Sequence, residues 1–185
     1  VQFALTKTVR DTSRLLYHMQ TCQMESPFIL PKLSKVSLEQ AVRPLKIAFS
    51  TVSPIGGKVS ESAIMATKKA VRALESLGHY VHEISDQPLN GIEAMQSYYI
   101  MNSVETAAMF DGIEAGLGRT MTLEDMELMT WAIFQSGQKI PAKVYSKILA
   151  QWDLYSHQMA VFHEAYDILL TPTVADVAPK HGQFA

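Results

Sequence analysis

The chain has 185 residues, of which 48% are hydrophobic and 18% are charged, and its formal net charge at pH 7 is -2. This balance predicts one globular unit, residues 1–185, and the lack of a basic stripe argues against binding to nucleic acid or to a membrane surface. A single cysteine, Cys22, excludes an internal disulfide, and neither a secretory leader nor an apolar run of about 20 residues occurs, so we expect a cytoplasmic protein.

The first 44 residues are predicted to form a helix followed by a long loop. Thr8 precedes Asp11 by three positions, as in a capping box, so residues 1–21 are predicted to hold the first helix. Residues 22–44 lose the helical period and contain three prolines, which disfavour helix. These are Pro27, Pro31 and Pro44.

Residues 45–85 are predicted to form a strand, a helix and a second strand. The apolar run 45–50 has the length of a buried strand, and 79–85 is the second strand. Ser60 can cap the helix between them and Gly78 can end it. Its predicted apolar face consists of Ala63, Ala66, Ala70, Ala73 and Leu77. Short links between such elements favour a parallel crossover.

Residues 92–166 are predicted to be a helical cover, and residues 167–173 the last strand. The first helix of this cover spans 92–110, and the second is capped by Thr122 with Asp125 and runs to Gly137. Pro141 fits the first turn of the third helix.

That third helix carries an aromatic and apolar stripe at spacings of three and four, which predicts core packing against the sheet rather than a cofactor face or a coiled coil. The stripe consists of Tyr145, Ile148, Trp152, Tyr155, Met159, Phe162 and Tyr166. Together these elements predict an α/β fold with a parallel or mixed sheet of at least three strands covered by helices. So small a sheet should leave an apolar face or edge without a partner, which is typical of a portion of a larger domain.

Two short stretches invite chemical interpretations. Ser136 and Lys139 match S-x-x-K, in which a lysine activates a serine, but they lie at a helix end without the companion motifs, which favours a loop between helices. Residues 53–58, SPIGGK, precede a helix and could present amides to a phosphate, although they match neither phosphate-binding motif and a tight turn is favoured.

The titratable residues do not form a predicted metal or acid–base site. His157 and His163 are six apart on one helix, and His79 and His82 share a strand, so neither pair has metal-ligand spacing. Glu105 and Asp111, also six apart, are expected to be solvated or to cap helices. We therefore expect neither a metal nor a cofactor.

Methionine and aromatic side chains crowd the helical middle of the chain. Core packing is the favoured interpretation, with a wall of a pocket for an aliphatic substrate as the alternative, and one helix can serve both. The residues are Met95, Tyr98, Tyr99, Met101, Met109, Met121, Met126, Met129, Trp131 and Phe134.

Four stretches in the same order resemble landmarks of the amidase signature family. They are ALTKTVRDTSRLL, PLKIAFSTVSPIG, ESLGHYVHEI and YDILLTPT, with Lys7 where the family more often has arginine. The stretches MNSVETAAMFDG and TWAIFQSGQKIPAKVY resemble in particular the branch that includes amidases similar to aminohexanoate cyclic dimer hydrolase. The resemblance implies the amidase signature fold and hydrolysis of small-molecule carboxylic amides.

Family members use a nucleophilic serine, a second serine on a cis peptide bond and a lysine, placed upstream of the TVRD helix. Because no Gly/Ser-rich signature occurs in this sequence, no catalytic residue is assigned, substrate-binding residues stay unknown, and neither Lys58 nor Ser136 takes a vacant role. The resemblance implies that this chain is the C-terminal portion of an amidase and is inactive alone. Its expected partner is the missing N-terminal half of the same domain, and the isolated portion is expected to self-associate. The alternatives are a non-catalytic α/β binding or interaction module and a nucleotide-binding domain using Gly56 and Gly57.

Overall fold

The computed structural model describes residues 3–20, 31–34 and 42–183. The chain separates into two compact units, residues 1–43 and 44–185. Most of the predicted loop over residues 22–44, including Cys22, lies outside the described residues, and its described parts carry no regular secondary structure.

The first unit contains one helix, α1 (Val9–Met19), among its described residues. The hydroxyl of Thr8 accepts a hydrogen bond of 3.1 Å from the amide of Asp11, which confirms the predicted N-cap. After the helix, the side chain of Gln20 donates to the carbonyl of Leu33 at 3.1 Å and accepts from the amide of Leu33. One amide side chain therefore links the helix end to the segment around Leu33.

The second unit is built on a parallel sheet of three strands in its described residues: β1 (Lys46–Phe49), β2 (Tyr80–Glu83) and β3 (Ile168–Leu170). The strand order is β2-β1-β3, and Ile47 pairs with both neighbours. Ile47 and Ala48 of the central strand are fully buried, as expected of a parallel strand covered on both faces. The predicted α/β fold is confirmed.

Helix α2 (Glu61–Ser76) connects β1 to β2 and begins and ends as predicted. Ser60 accepts a hydrogen bond from the amide of Ala63, and Gly78 has a φ of +86°, the left-handed conformation of a helix terminator. The buried face was predicted wrongly: Thr67 and Val71 are buried, whereas much of the alanine face is exposed. Ala63, Ala66 and Ala70 border an open groove, which leaves this face only partly covered.

Helix α3 (Gly91–Leu117) is longer than the predicted helix over 92–110. Gly112 and Gly116 continue the helix, because a helical glycine lowers stability by about 1 kcal/mol without ending the helix. Gly118 ends it, with a φ of +67° and its amide donating to the carbonyl of Glu114.

A 3₁₀ turn (Leu123–Asp125) precedes helix α4 (Leu128–Gly137), and helix α5 (Ala142–Ala165) follows directly after Pro141. The capping box of Thr122 and Asp125 is present, but it caps the 3₁₀ turn, because extended backbone at Met126 separates that turn from α4. The predicted stripe of α5 is its least exposed side, with Tyr155 only 3% exposed, but α5 packs mainly against α3, which differs from the predicted packing against the sheet.

Helices α3 and α4 pack closely around a small aromatic core. Phe110 and Phe134 meet edge to face with ring centroids 5.2 Å apart, beside Ala107. Residues partly buried against this core are Met121, Met126 and Trp131. In the described part of the chain, no helix combines the length and the apolar character needed to cross a bilayer.

Candidate functional site

The carboxyl ends of the three parallel strands lie at one edge of the sheet. In open α/β sheets, ligands bind in the crevice outside this edge, where loops leave the strands. Here the edge carries the β1–α2 loop (residues 50–60), the segment after β2 around Gln87, and the segment after β3 (residues 171–177). These three segments form the candidate functional site.

Ser50 joins the three strand ends at this edge. Its side chain is fully buried, and its hydroxyl accepts hydrogen bonds from Gln87 Nε2 at 2.9 Å and from the amide of Val52 at 3.2 Å. The amide of Ser50 donates to the carbonyl of Leu170 in β3 at 3.1 Å. Gln87 Nε2 also lies 3.3 Å from the carbonyl of Val52, so one side chain braces the start of the β1–α2 loop.

The SPIGGK stretch forms a tight turn, as the sequence predicts. The amide of Gly56, which has a φ of +74°, donates to the carbonyl of Ser53 at 3.1 Å. Ser53 Oγ accepts from the amides of Gly57 at 3.2 Å and Ile55 at 3.4 Å. Because the turn consumes these amides internally, they are not presented to a phosphate, which argues against the nucleotide-binding alternative.

A cavity of about 290 Å³ opens between the β1–α2 loop and the segment after β3. Apolar side chains dominate its lining, and the polar side chains are those of Ser53, Gln87, Thr171 and Thr173. No hydrogen bond within the described residues engages the two threonine hydroxyls, so both can bind a ligand. The main apolar lining residues are Val52, Pro54, Ile55, Val59, Pro172 and Val174.

A second cavity, of about 380 Å³, lies on the other side of the same segment, against the alanine face of α2. The amide of Ser60 donates to the carbonyl of Ala175 at 2.8 Å, which holds the start of α2 to the segment after β3. Thr171–Val174 therefore border both cavities.

The N-terminus of α3 supports the β1–α2 loop from behind. A Cβ atom on Gly91 would lie 2.3 Å from the carbonyl oxygen of Pro54, a distance that no side chain can occupy. Glycine at this position therefore permits a direct backbone approach of the helix to the loop.

Ser136 and Lys139 do not form a catalytic dyad. Ser136 Oγ donates to the carbonyl of Ala132 at 2.8 Å and lies 3.4 Å from the hydroxyl of Tyr99. Within the described residues, Lys139 bonds this serine only through its backbone amide. The serine hydroxyl is held by its own helix, in agreement with the interpretation that this tetrapeptide is structural.

Glu105 has a partner that the spacing along one helix could not reveal. The hydroxyl of Tyr145 on α5 donates to Glu105 Oε1 on α3, and this hydrogen bond raises the pKa of the tyrosine hydroxyl. Glu105 is exposed, as expected of a solvated carboxylate, and the contact with Tyr145 joins residues 40 positions apart.

Two of the histidines hydrogen-bond the backbone. His79 Nδ1 accepts from the amide of Leu45 at 3.2 Å, and His163 Nδ1 lies 2.9 Å from the carbonyl of Tyr166. Among the residues with described positions, no three His, Cys, Asp or Glu side chains are grouped closely enough to hold a metal ion.

The methionine-rich helices divide into two environments. Met121, Met126, Trp131 and Phe134 belong to the aromatic core between α3 and α4. A second set is exposed, with exposed fractions from 47% to 70%. It consists of Met95, Tyr98, Tyr99, Met109 and Met129.

Sequence reasoning missed Ser50, Gln87, Thr171 and Thr173 as site residues. The available signal was position, since Ser50 and Thr171 directly follow the apolar residues Phe49 and Leu170, at which two of the strands end. Gln87 lies four residues beyond β2, and only the tertiary structure places it against Ser50.

The chain is an α/β protein with a parallel sheet, and its cavity lies at the carboxyl ends of the strands, where proteins of this class bind ligands. Residues 4–185 match the family model described as Amidase. This chain belongs to the amidase family, so the resemblance in the sequence is confirmed.

The chain covers only part of its relatives. A lipoamidase from Enterococcus faecalis is 33% identical over 180 residues, which cover 97% of this chain and 23% of the relative. A protein named as the amidase AmiC, from Mycobacterium leprae, is 26% identical over 184 residues, which cover 98% of this chain and 38% of the relative. The chain therefore spans well under half the length of these curated relatives.

Solved structures share the fold. The structure of 6-aminohexanoate cyclic dimer hydrolase complexed with substrate superposes with a TM-score of 0.84 over 95% of this chain and 38% of that chain. The sequences are 21% identical, so this likeness establishes the fold.

Proposed function

We propose that this chain is the C-terminal portion of an amidase signature hydrolase that cleaves the C–N bond of carboxylic amides. The family match over residues 4–185 carries this proposal. In it, a Ser/cis-Ser/Lys triad supplied by the missing N-terminal half performs the chemistry, and the present chain contributes the sheet, the helical cover and part of the substrate pocket. We also propose that the enzyme is cytoplasmic, with which a single cysteine is consistent.

The cavity at the carboxyl edge supports a neutral amide as the ligand. Its walls are largely apolar, and its polar side chains are one carboxamide and three hydroxyls rather than charged groups. Such groups can hydrogen-bond an amide N–H and C=O without the desolvation penalty of a buried charge. Similar proteins named for lipoamide and for a cyclic dimer leave a linear or a cyclic amide as the proposed substrate.

A fluorophosphonate probe tests whether any serine in these residues is activated. An activated serine reacts stoichiometrically, whereas a serine held as an ordinary hydroxyl does not. We expect no adduct in the intact mass of the purified chain, while a full-length amidase of the family is labelled under the same conditions. Labelling of the chain that disappears in Ser136→Ala would contradict the proposal and make Ser136 with Lys139 the leading dyad.

A non-catalytic α/β binding or interaction module is the second candidate. The observation behind it is the 290 Å³ cavity, whose lining includes the carboxamide of Gln87 and the hydroxyls of Ser53, Thr171 and Thr173. Isothermal titration of the chain with acetamide and longer aliphatic amides distinguishes the two. Saturable binding by the chain alone, without turnover by the whole gene product, would favour the module over the hydrolase.

A further inference from the structure

One side of α3 presents two groups of exposed apolar side chains, which we together call the α3 stripe. One group lies in the first turns of the helix and the other in its last turns, on the same helical face, and the members are between 38% and 55% exposed. They are Met95, Tyr98, Tyr99, Met109, Ile113 and Leu117. Asn102 and Thr106, which are uncharged, occupy the intervening positions of the same face.

The opposite side of α3 is already packed. Ser103, Ala107 and Phe110 are buried there, and the carbonyl of Ser103 lies close to the backbone of Gly137 in α4. Helix α5 also contacts α3, through the hydroxyl of Tyr145 and Glu105, while the stripe itself stays exposed. An exposed apolar face of this extent is typical of a surface that another part of a protein covers.

We infer that the α3 stripe is the packing surface for the remainder of the amidase domain. This inference rests on the proposed function and adds the surface through which the two portions meet. The chain superposes over 95% of its length on a solved amidase-fold structure but accounts for 38% of it, so well over half of such a domain has to be placed around this arrangement. A charge-free apolar face matches a permanent intradomain contact rather than a transient one.

Thiol labelling measures whether the stripe is covered. The variants Met109→Cys and Leu117→Cys place a reporter thiol on the stripe, and Met65→Cys places one on α2, where the methionine is 51% exposed against 55% for Met109. All are made with Cys22→Ser, in the 185-residue chain and in the whole gene product that contains it. Maleimide labelling rates are compared at the same low protein concentration.

We expect both stripe thiols to react readily in the 185-residue chain and roughly tenfold or more slowly in the whole gene product. The Met65→Cys thiol should react equally in both. Equal rates for the stripe thiols in the two proteins would overturn the inference, including the case in which the gene encodes nothing beyond this chain. Slow labelling of the stripe thiols in the 185-residue chain by itself would mean that a second copy of the chain covers the stripe, and this result would also overturn the inference.

Fluorophosphonate labelling of the same preparations separates the inference from the proposed function. If the gene product reacts with the probe but its stripe thiols stay accessible, the proposed hydrolase function stands and the inferred interface is wrong. If the gene product protects the stripe thiols but does not react with the probe, the inferred interface stands and the proposed hydrolase function is wrong.

Discussion

Ser50 shows how one small residue organises the candidate site. Its hydroxyl is fully buried and accepts two hydrogen bonds, one from the backbone of Val52 and one from the side chain of Gln87. Since the backbone amide of Ser50 binds β3, this single position couples the ends of the central strand and its neighbours. Buried hydroxyls stabilise a fold only when they are paired, so the brace from Gln87 is part of the site.

Gln87→Ala should destabilise the second unit. The substitution removes both hydrogen bonds of the carboxamide and leaves the buried hydroxyl of Ser50 with one fewer partner. We expect a loss of about 1–2 kcal/mol in the free energy of unfolding, measured by urea denaturation. Gln96→Ala, on the exposed surface of α3, is the matched control and should change stability by less than about 0.5 kcal/mol. Equal effects of the two substitutions would show that the brace contributes nothing.

At the scale of elements, the contact between α3 and α4 depends on the absence of a side chain. A Cβ atom on Gly137 would lie 1.9 Å from the carbonyl oxygen of Ser103 and 2.9 Å from the Cβ of Ala107. Backbone atoms cannot move aside as a flexible side chain can, so a methyl group here would force the helices apart. Close approach at this point lets Phe134 reach Phe110.

Gly137→Ala and Gly112→Ala should therefore have effects of opposite sign. We expect Gly137→Ala to destabilise the protein by about 1–3 kcal/mol, because the helices must separate. Gly112 also lies in a helix, but a Cβ added there meets no atom within 4 Å, so its replacement should stabilise by about 0.5–1 kcal/mol. Thermal unfolding measures both, and a stabilising Gly137→Ala would refute the close contact.

The connection between α3 and α4 is held by a carboxylate. Asp125 accepts hydrogen bonds from the guanidinium of Arg119 at 2.6 and 2.8 Å and from the amide of Thr122 at 2.8 Å. The hydrogen bonds from Arg119, followed by the one from Thr122, hold the pKa of Asp125 far below its usual range. Because the ion pair is exposed, its effect on stability is expected to be modest.

Asp125→Asn should remove the part of the pH dependence of stability that comes from the Asp125 carboxylate. A carboxyl group whose pKa is lower in the folded state stabilises the fold above its unfolded pKa of about 3.9 and loses that effect as the pH falls. The Tm of the wild type should exceed that of the variant at pH 7, and the difference should shrink below about pH 4. Asp111→Asn, at an exposed position on α3, is the control. A Tm difference that is constant with pH would contradict the role of the charge.

At the scale of the whole molecule, the second unit exposes more apolar surface than its sheet can cover. β1 is buried, but Tyr80 at the start of β2 is 62% exposed and Ile168 at the start of β3 is 40% exposed. Parallel sheets occur almost only with both faces covered, so the outer strands are incompletely enclosed in the described residues. Exposed edges and apolar faces of this kind promote association.

The isolated chain should accordingly self-associate as its concentration rises. Light scattering coupled to size exclusion should give an apparent mass above the 20.6 kDa of the monomer, and Tyr80→Lys, which places a charge at the start of an outer strand, should lower it. The matched change Tyr17→Lys, on α1, should have a smaller effect. A strictly monomeric chain at every concentration would be inconsistent with an uncovered sheet.

The sequence by itself determined the elements whose signals are local. The caps at Thr8 and Ser60 and the terminator at Gly78 follow from contacts within a few residues. The parallel crossover follows from short links between elements, the less exposed side of α5 from periodicity, and the family from four ordered stretches. Only the tertiary structure decided the rest. It buries Thr67 rather than the alanine face of α2. It also brings together residues far apart in sequence, as in the hydrogen bonds from Tyr145 to Glu105 and from Gln87 to Ser50. Periodicity carries no information about such contacts, because it describes which face a side chain occupies and not what lies opposite.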